Sequence, residues 1–78
     1  MKNIRIAVDS TGALFLDGEA VKDEELESRL KVLKDVNPEA LIVIEADEKS
    51  LHGKVVFVID KAKSADYTRF AIATEEAK

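Results

Sequence analysis

Eight residues near the middle of the chain, Ala40 to Asp47, limit what the rest can become. They read Ala-Leu-Ile-Val-Ile-Glu-Ala-Asp, with four large aliphatics in succession. Asn37-Pro38 stands before them and charged residues follow. A run this short and continuous reads as a strand covered on both faces. A helix of that length would be marginal, and Ile-Val-Ile resists helical packing because β-branching stiffens χ1. The run is therefore expected to be a central strand shielded by helices. Its acidic end, Glu45-Ala46-Asp47, falls at the carboxyl edge, where open α/β sheets often place their ligands.

The elements before it follow from spacing. Ile4-Arg5-Ile6-Ala7-Val8 alternates as a half-buried strand does. Asp9-Ser10-Thr11-Gly12 reads as a turn and Ala13 to Leu16 as the return strand. Asp17-Gly18 is a second tight-turn signal of type I′, after which Glu19-Ala20-Val21 pairs briefly with the preceding residues. A helix opens at Lys22-Asp23-Glu24-Glu25, with Asp23 as N-cap and glutamates where the helix dipole favours them. Leu26, Leu30 and Leu33 form one apolar stripe. Glu25–Arg29, Glu27–Lys31 and Lys31–Asp35 are spaced as surface ion pairs. Asn37-Pro38 stops the helix, because the residue before proline is pushed out of the α region.

After the central run, Ser50 is placed to cap a second helix. Val55 to Ile59 is ambiguous, since five β-formers in a row also suit a strand. Helical spacing of Val55, Val58/Ile59 and Ala62 decides for the helix, as does the lack of a hairpin turn between Ser50 and Gly53. Asp66 sits where a left-handed C-cap belongs. Arg69 to Thr74 alternates again and is expected to lie parallel to the central strand through a right-handed crossover. Glu75 to Lys78 is expected as a tail. The order is ββαβαβ: an α+β fold, a mixed sheet with two helices packed on one face.

Composition narrows function by exclusion. A chain of 78 residues makes one domain with a modest core, burying a bit over ~60% of its unfolded surface. Association would help it, and a homodimer is expected. Net charge of −4 argues against nucleic acid, whose phosphates call for basic patches. There is no cysteine, hence no disulfide framework and no thiolate chemistry. No apolar run approaches the ~18–20 residues of a membrane span.

Chemistry-bearing residues are sparse. One histidine, His52, leaves no usual metal cluster, and no cofactor is expected. Asp47, Ser50 and His52 are the nearest thing to a catalytic or ligand-binding group, and a small-ligand-binding or enzymatic domain using the loop Asp47–His52 is the alternative reading. These residues lie too close in sequence for attack geometry without a special turn, and no Gly-x-Ser-x-Gly elbow is present. No catalytic residue is assigned. A contact surface fits better. If Val55, Ile59 and Ala62 face the sheet, Val56 and Phe57 point partly away from it, either as part of that surface or rolled into the core edge. Tyr67 either lids the core or joins the same surface. With Ser50, Leu51 and His52 these residues make up the expected partner-binding set. The edges of a small open sheet are the other place where a partner strand can add.

The ordered series Ile6-Ala7-Val8-Asp9, Gly12, Leu14-Phe15-Leu16-Asp17-Gly18-Glu19, Asn37-Pro38, Ile42 to Asp47, Gly53 to Asp60 and Thr68 to Glu75 resembles the periplasmic domain of the ExbD/TolR biopolymer-transport family. The likeness covers nearly the whole chain. Where the family has Val-Pro-Tyr entering the second helix, this chain has Ser50-Leu51-His52, and where the family ends that helix with Ala-Gly it has Ala65-Asp66. The resemblance implies a non-enzymatic periplasmic domain of a single-pass inner-membrane protein, whose transmembrane helix lies outside this sequence. It implies a homodimer, a motor subunit of the ExbB or TolQ type reached through that helix, a transducer of the TonB or TolA type, and peptidoglycan as a further partner.

Overall fold

A computed structural model describes residues 3–75 and gives the order β1 (Ile4–Val8), β2 (Leu14–Leu16), β3 (Glu19–Val21), α1 (Asp23–Val36), β4 (Ile42–Asp47), α2 (His52–Ser64) and β5 (Phe70–Glu75). Residues 76–78 of the expected tail lie outside the described residues, while Glu75 belongs to β5. The strands form one mixed sheet in the order β3-β2-β1-β4-β5. β1, β4 and β5 run parallel, and β2 and β3 fold back antiparallel from β1. The α+β fold and the helical state of residues 54 to 62 both agree with the sequence, and the short segment after Asp17-Gly18 is a full third strand of the meander.

The turns form as their residues dictate. Asp17 and Gly18 both take positive φ, 50° and 87°, as a two-residue type I′ hairpin requires. The Asp17 carboxylate accepts the Arg5 amide at 3.0 Å, tying that turn to β1. In the first hairpin the Asp9 carboxylate accepts the amides of Thr11 and Ala13 and the Thr11 hydroxyl, which closes the loop around Gly12.

Strict alternation sorts the strands onto two faces. Ile4, Ile6, Val8, Leu14, Leu16, Val21, Ile42, Ile44 and Ala46 are buried on the face that carries both helices. All but Ala46 cluster with Leu26 and Leu30 of α1 and Val58 and Ala62 of α2. β4 is central, flanked by β1 and β5, but it is covered on one face only. Val43, Glu45 and Asp47 are half-buried on the open face, so the expectation of two-sided cover is corrected. The aliphatic run is continuous because Val43 lies among Arg5 and Ala71 in register on an uncovered surface, where parallel pairing on both sides still favours a β-branched residue.

Two capping assignments also change. Asp23 is the first residue of α1 and Lys22 takes the cap position, with no side-chain cap bond. α2 opens at His52 behind Leu51, again uncapped by a side chain, so Ser50 lies one residue too early. Ser50 instead belongs to the turn after β4, where its amide donates to the Asp47 carbonyl at 2.8 Å. Arg29 turns away from Glu25 and pairs with Glu19 of β3, pinning the hairpin to α1. The Glu27–Lys31 pair forms as spaced, at 3.1 Å. Asp66 takes the left-handed conformation, with φ 69°, just past the α2 C-cap Ala65, as its position implies.

The helices sit side by side. Lys54 of α2 meets Asp23 of α1, and Lys61 approaches Glu27 at 3.8 Å. α1 lies beside β2 and β3, and α2 lies over β1 and β4. A five-stranded sheet is about 24 Å wide at ~4.8 Å per strand, whereas two helices cover about 20 Å. The strand left beyond the helical layer is β5.

Candidate interaction surface

The turn after β4 holds the residues singled out as a possible reactive group. The Asp47 carboxylate accepts the Lys49 amide at 2.8 Å, which makes it the residue that shapes the turn. His52 and Leu51 are exposed, and Ser50 is half-buried. No side-chain hydrogen bond joins Asp47, Ser50 and His52, so the geometry assembles no nucleophile and base. Among the described residues no group of three or more His, Cys, Asp or Glu is placed to hold a metal ion.

The other expected contact residues separate. Tyr67 is 2% exposed and belongs to the core. Phe57 packs against the core in the seam between the helices, with the Lys54 and Lys61 ammonium groups each 5.4 Å from its ring centre. Tyr67 is thus withdrawn from solvent, while Phe57 stays half-buried at the core edge. Val56 is 41% exposed on the opposite flank of α2, and Leu51 is more exposed still. Of the expected set, Leu51, His52 and Val56 are fully at the surface.

Shallow concavities occur elsewhere among the described residues, two of them on the sheet and hairpin. One, of about 580 Å³, lies between the β2–β3 hairpin and α1, with Leu16, Val32 and Leu33 as its apolar lining and Glu19 and Arg29 at its rim. The hydrogen bond that Arg29 donates to the Glu19 carboxylate holds its guanidinium more firmly protonated. The other, of about 380 Å³, is on the open sheet face between Phe15, Ala7, Arg5 and Glu45. Arg5 and Glu45 pair across it at 3.4 Å.

The least satisfied surface is the outer edge of β5. The Ile42 amide donates to the Arg69 carbonyl, and Ile42 stands opposite Phe70 in the parallel register. In such a ladder the residues on β5 that bond to β4 are 69, 71 and 73. The N–H and C=O groups of Phe70, Ile72 and Thr74 therefore point outward. Ile72 is 57% exposed although it shares the helix-bearing face with buried Ile44, because α2 stops over β4. Val56 lies on the α2 flank turned away from α1, hence toward this edge. Natural edges are blunted by an inward lysine, a proline, a bulge or a very short strand. Phe70 to Thr74 has none of these. The opposite edge is protected: β3 has three residues, and its Glu19 is held by Arg29. The sequence pointed to sheet edges in general. What it left open was which strand lay outermost, and that depends on β5 crossing over α2 to the far side of β4.

The profile of the family described as biopolymer transport protein ExbD/TolR matches residues 1–77. A biopolymer transport protein exbD2 of Vibrio cholerae is 34% identical over 94% of this chain and 54% of its own length. A biopolymer transport protein ExbD of Pseudomonas aeruginosa is 30% identical over 88% of this chain and 52% of its own, and one of Neisseria gonorrhoeae is 29% identical over 92% and 52%. The chain thus spans about half the length of these relatives. With a family profile matching almost end to end, the chain belongs to the ExbD/TolR family of biopolymer transport proteins.

Proposed function

We propose that this chain is the periplasmic interaction domain of an energy-transducing complex of the ExbB–ExbD–TonB or TolQ–TolR–TolA type, driven by the proton-motive force. It works without catalysis, as a homodimeric adaptor. A transmembrane helix in the rest of the protein anchors it to the inner membrane and to a motor subunit, and the domain engages a transducer or, in a TolR-type system, peptidoglycan. Family membership supports the setting, and one observation carries the mode of action: the bare outer edge of β5 beside exposed Ile72 and Val56. Such an edge accepts an extended segment through main-chain bonds, while side chains on alternate positions set specificity. Leu51 and His52, at the start of α2, flank the carboxyl end of that edge and belong to the same proposed surface.

Titration with an extended peptide from a cognate transducer, followed through amide shifts, tests this. Shifts are expected at Phe70, Ile72 and Thr74 and along Val56. A peptide that binds while those amides stay silent removes β5 from the proposed site.

A further inference from the structure

We infer that the groove between the β2–β3 hairpin and α1 is a second docking surface, and that it takes a cationic amphipathic helix from a partner protein. This surface is separate from the β5 edge. β3 and β5 are the two outermost strands of the sheet, so both surfaces can be engaged at once. Among the described residues five large apolar side chains are exposed. Leu51, Val56 and Ile72 belong to the β5 side, which leaves Val32 and Val36, 66% and 71% exposed on α1. Asp23 and Glu27 of that helix face α2, where they meet Lys54 and Lys61, and Leu26 and Leu30 point into the core. At about 3.6 residues per turn, Arg29, Val32 and Val36 fall together on the flank opposite α2. That flank extends the apolar floor of the groove, Leu16 and Leu33, out to the surface. A contiguous apolar patch with a charged rim marks an interaction site.

Backbone and charge identify the occupant. Leu16 and Glu19 close a two-residue hairpin as a hydrogen-bonded pair, so Ala20 is the one residue of β3 whose N–H and C=O point outward. An added strand finds a single residue to bond there, and the flank of α1 offers side chains alone. A helix arrives with its own backbone bonds closed and lays an apolar stripe into a groove. The stretch from Glu25 to Val36 runs about 16 Å at ~1.5 Å per residue, enough to lie along three turns of a docked helix. At about 580 Å³ the groove is in the range of pockets that seat apolar groups. Its charged lining is Asp17 and Glu19 against Arg29. Arg29 is already bonded to Glu19, and Glu25 lies near it on the same flank, so the rim is acidic. The Glu19 side chain is exposed and has a second oxygen with which to accept from a lysine. Lysines beside the apolar stripe of the incoming helix complement this rim, whereas carboxylates there meet like charge.

The probe is a capped leucine–lysine peptide of about four turns, with leucines at i, i+3, i+4 and i+7, titrated into the chain and followed through amide shifts. Shifts are expected at Glu19, Arg29, Val32 and Leu33, with β5 unmoved. Val32→Ser is expected to weaken the peptide at least about tenfold, as loss of a central apolar contact does. Glu19→Gln is expected to weaken it about threefold, and less at high salt. Val56→Ser, on the flank of α2 turned away from α1, should bind as the parent does. The same peptide with glutamate in place of lysine should bind at least about tenfold less tightly. An unshifted groove, equal binding of the glutamate peptide, or a Val32→Ser chain that binds like the parent each overturns the inference. A Val32→Ser chain that self-associates more weakly than the parent in sedimentation makes the occupant a second copy and overturns it too. Shifts confined to β5 remove the groove and leave the strand-accepting edge standing. Groove shifts in a chain whose β5 takes no transducer peptide do the reverse.

Discussion

The Tyr67 hydroxyl donates a 2.8 Å hydrogen bond to the Leu30 carbonyl, joining the segment that enters β5 to the middle of α1 across 37 residues of sequence. The ring is buried, and the Lys34 ammonium sits 4.8 Å from its centre. Tyr67→Phe is expected to cost about 1 kcal/mol, the usual net worth of such a bond, and Tyr67→Ala about 3–5 kcal/mol through the cavity it leaves. Denaturant unfolding measures both. Burial pushes the Tyr67 phenol pKa up. A raised folded pKa gives stability that is present below the unfolded value and lost as pH climbs through the folded one. The parent should therefore lose stability on the alkaline side through this group, and Tyr67→Phe should lack that component.

One-sided cover of the sheet makes neighbouring positions of β4 unequal. Ile44 is fully buried under the helices, while Val43 is half-buried on the open face. Ile44→Ala should cost about 2–5 kcal/mol. Val43→Ala should cost about 1 kcal/mol, near the centre of the range for single substitutions. Equal losses in thermal unfolding would mean that something covers both faces.

Acid should loosen the first hairpin. Asp9 accepts from the Thr11 hydroxyl and from the amides of Ala13 and Thr11, and these bonds hold its pKa below the usual carboxylate value, the Thr11 hydroxyl contributing most. A depressed folded pKa gives stability present above the unfolded pKa and lost as pH falls through the folded one. Asp9→Asn should lower stability at neutral pH and flatten its fall on acidification. A pH series of unfolding midpoints that falls in parallel for parent and variant would refute the assignment.

Asp17 and Asp66 share a left-handed backbone but not its justification. The Asp17 carboxylate accepts the Arg5 amide, whereas Asp66 closes α2 at φ 69° with no side-chain bond of that kind. Asp66→Gly should therefore stabilise the protein by about 1 kcal/mol, the order of the left-handed penalty for a residue with a Cβ. Asp17→Gly should give no such gain. Thermal midpoints of the two variants decide between them.

Much of this was legible in the residues. Asp17-Gly18 dictated its turn, Leu26 and Leu30 their buried stripe, and Asp66 the end of α2. The helix at Val55 to Ile59 was readable despite its β-forming composition, because Val58 and Ala62 recur at the period that buries them together. What could not be read depends on distant parts of the chain. Phe57 was open between the surface and the core edge by position on its helix; it settles half-buried at the core edge, with Lys54 and Lys61, which pair with Asp23 and Glu27 of α1, beside its ring. Tyr67 went to the core because Leu30 offered a carbonyl at the right depth. Local spacing carries no record of either pairing. Nor does it say that Val43 faces open space, since a run of aliphatics looks the same whether one or both sides are roofed.

On β5 the odd-numbered backbone units are committed inward to β4 and the even-numbered ones are uncommitted. A proline scan should then alternate, with Ala71→Pro and Ala73→Pro damaging the protomer itself and Ile72→Pro sparing it while silencing its conversation with neighbours. The same alternation lets a lineage exchange one associate for another by drift at every second position, leaving the machine that holds the strand untouched.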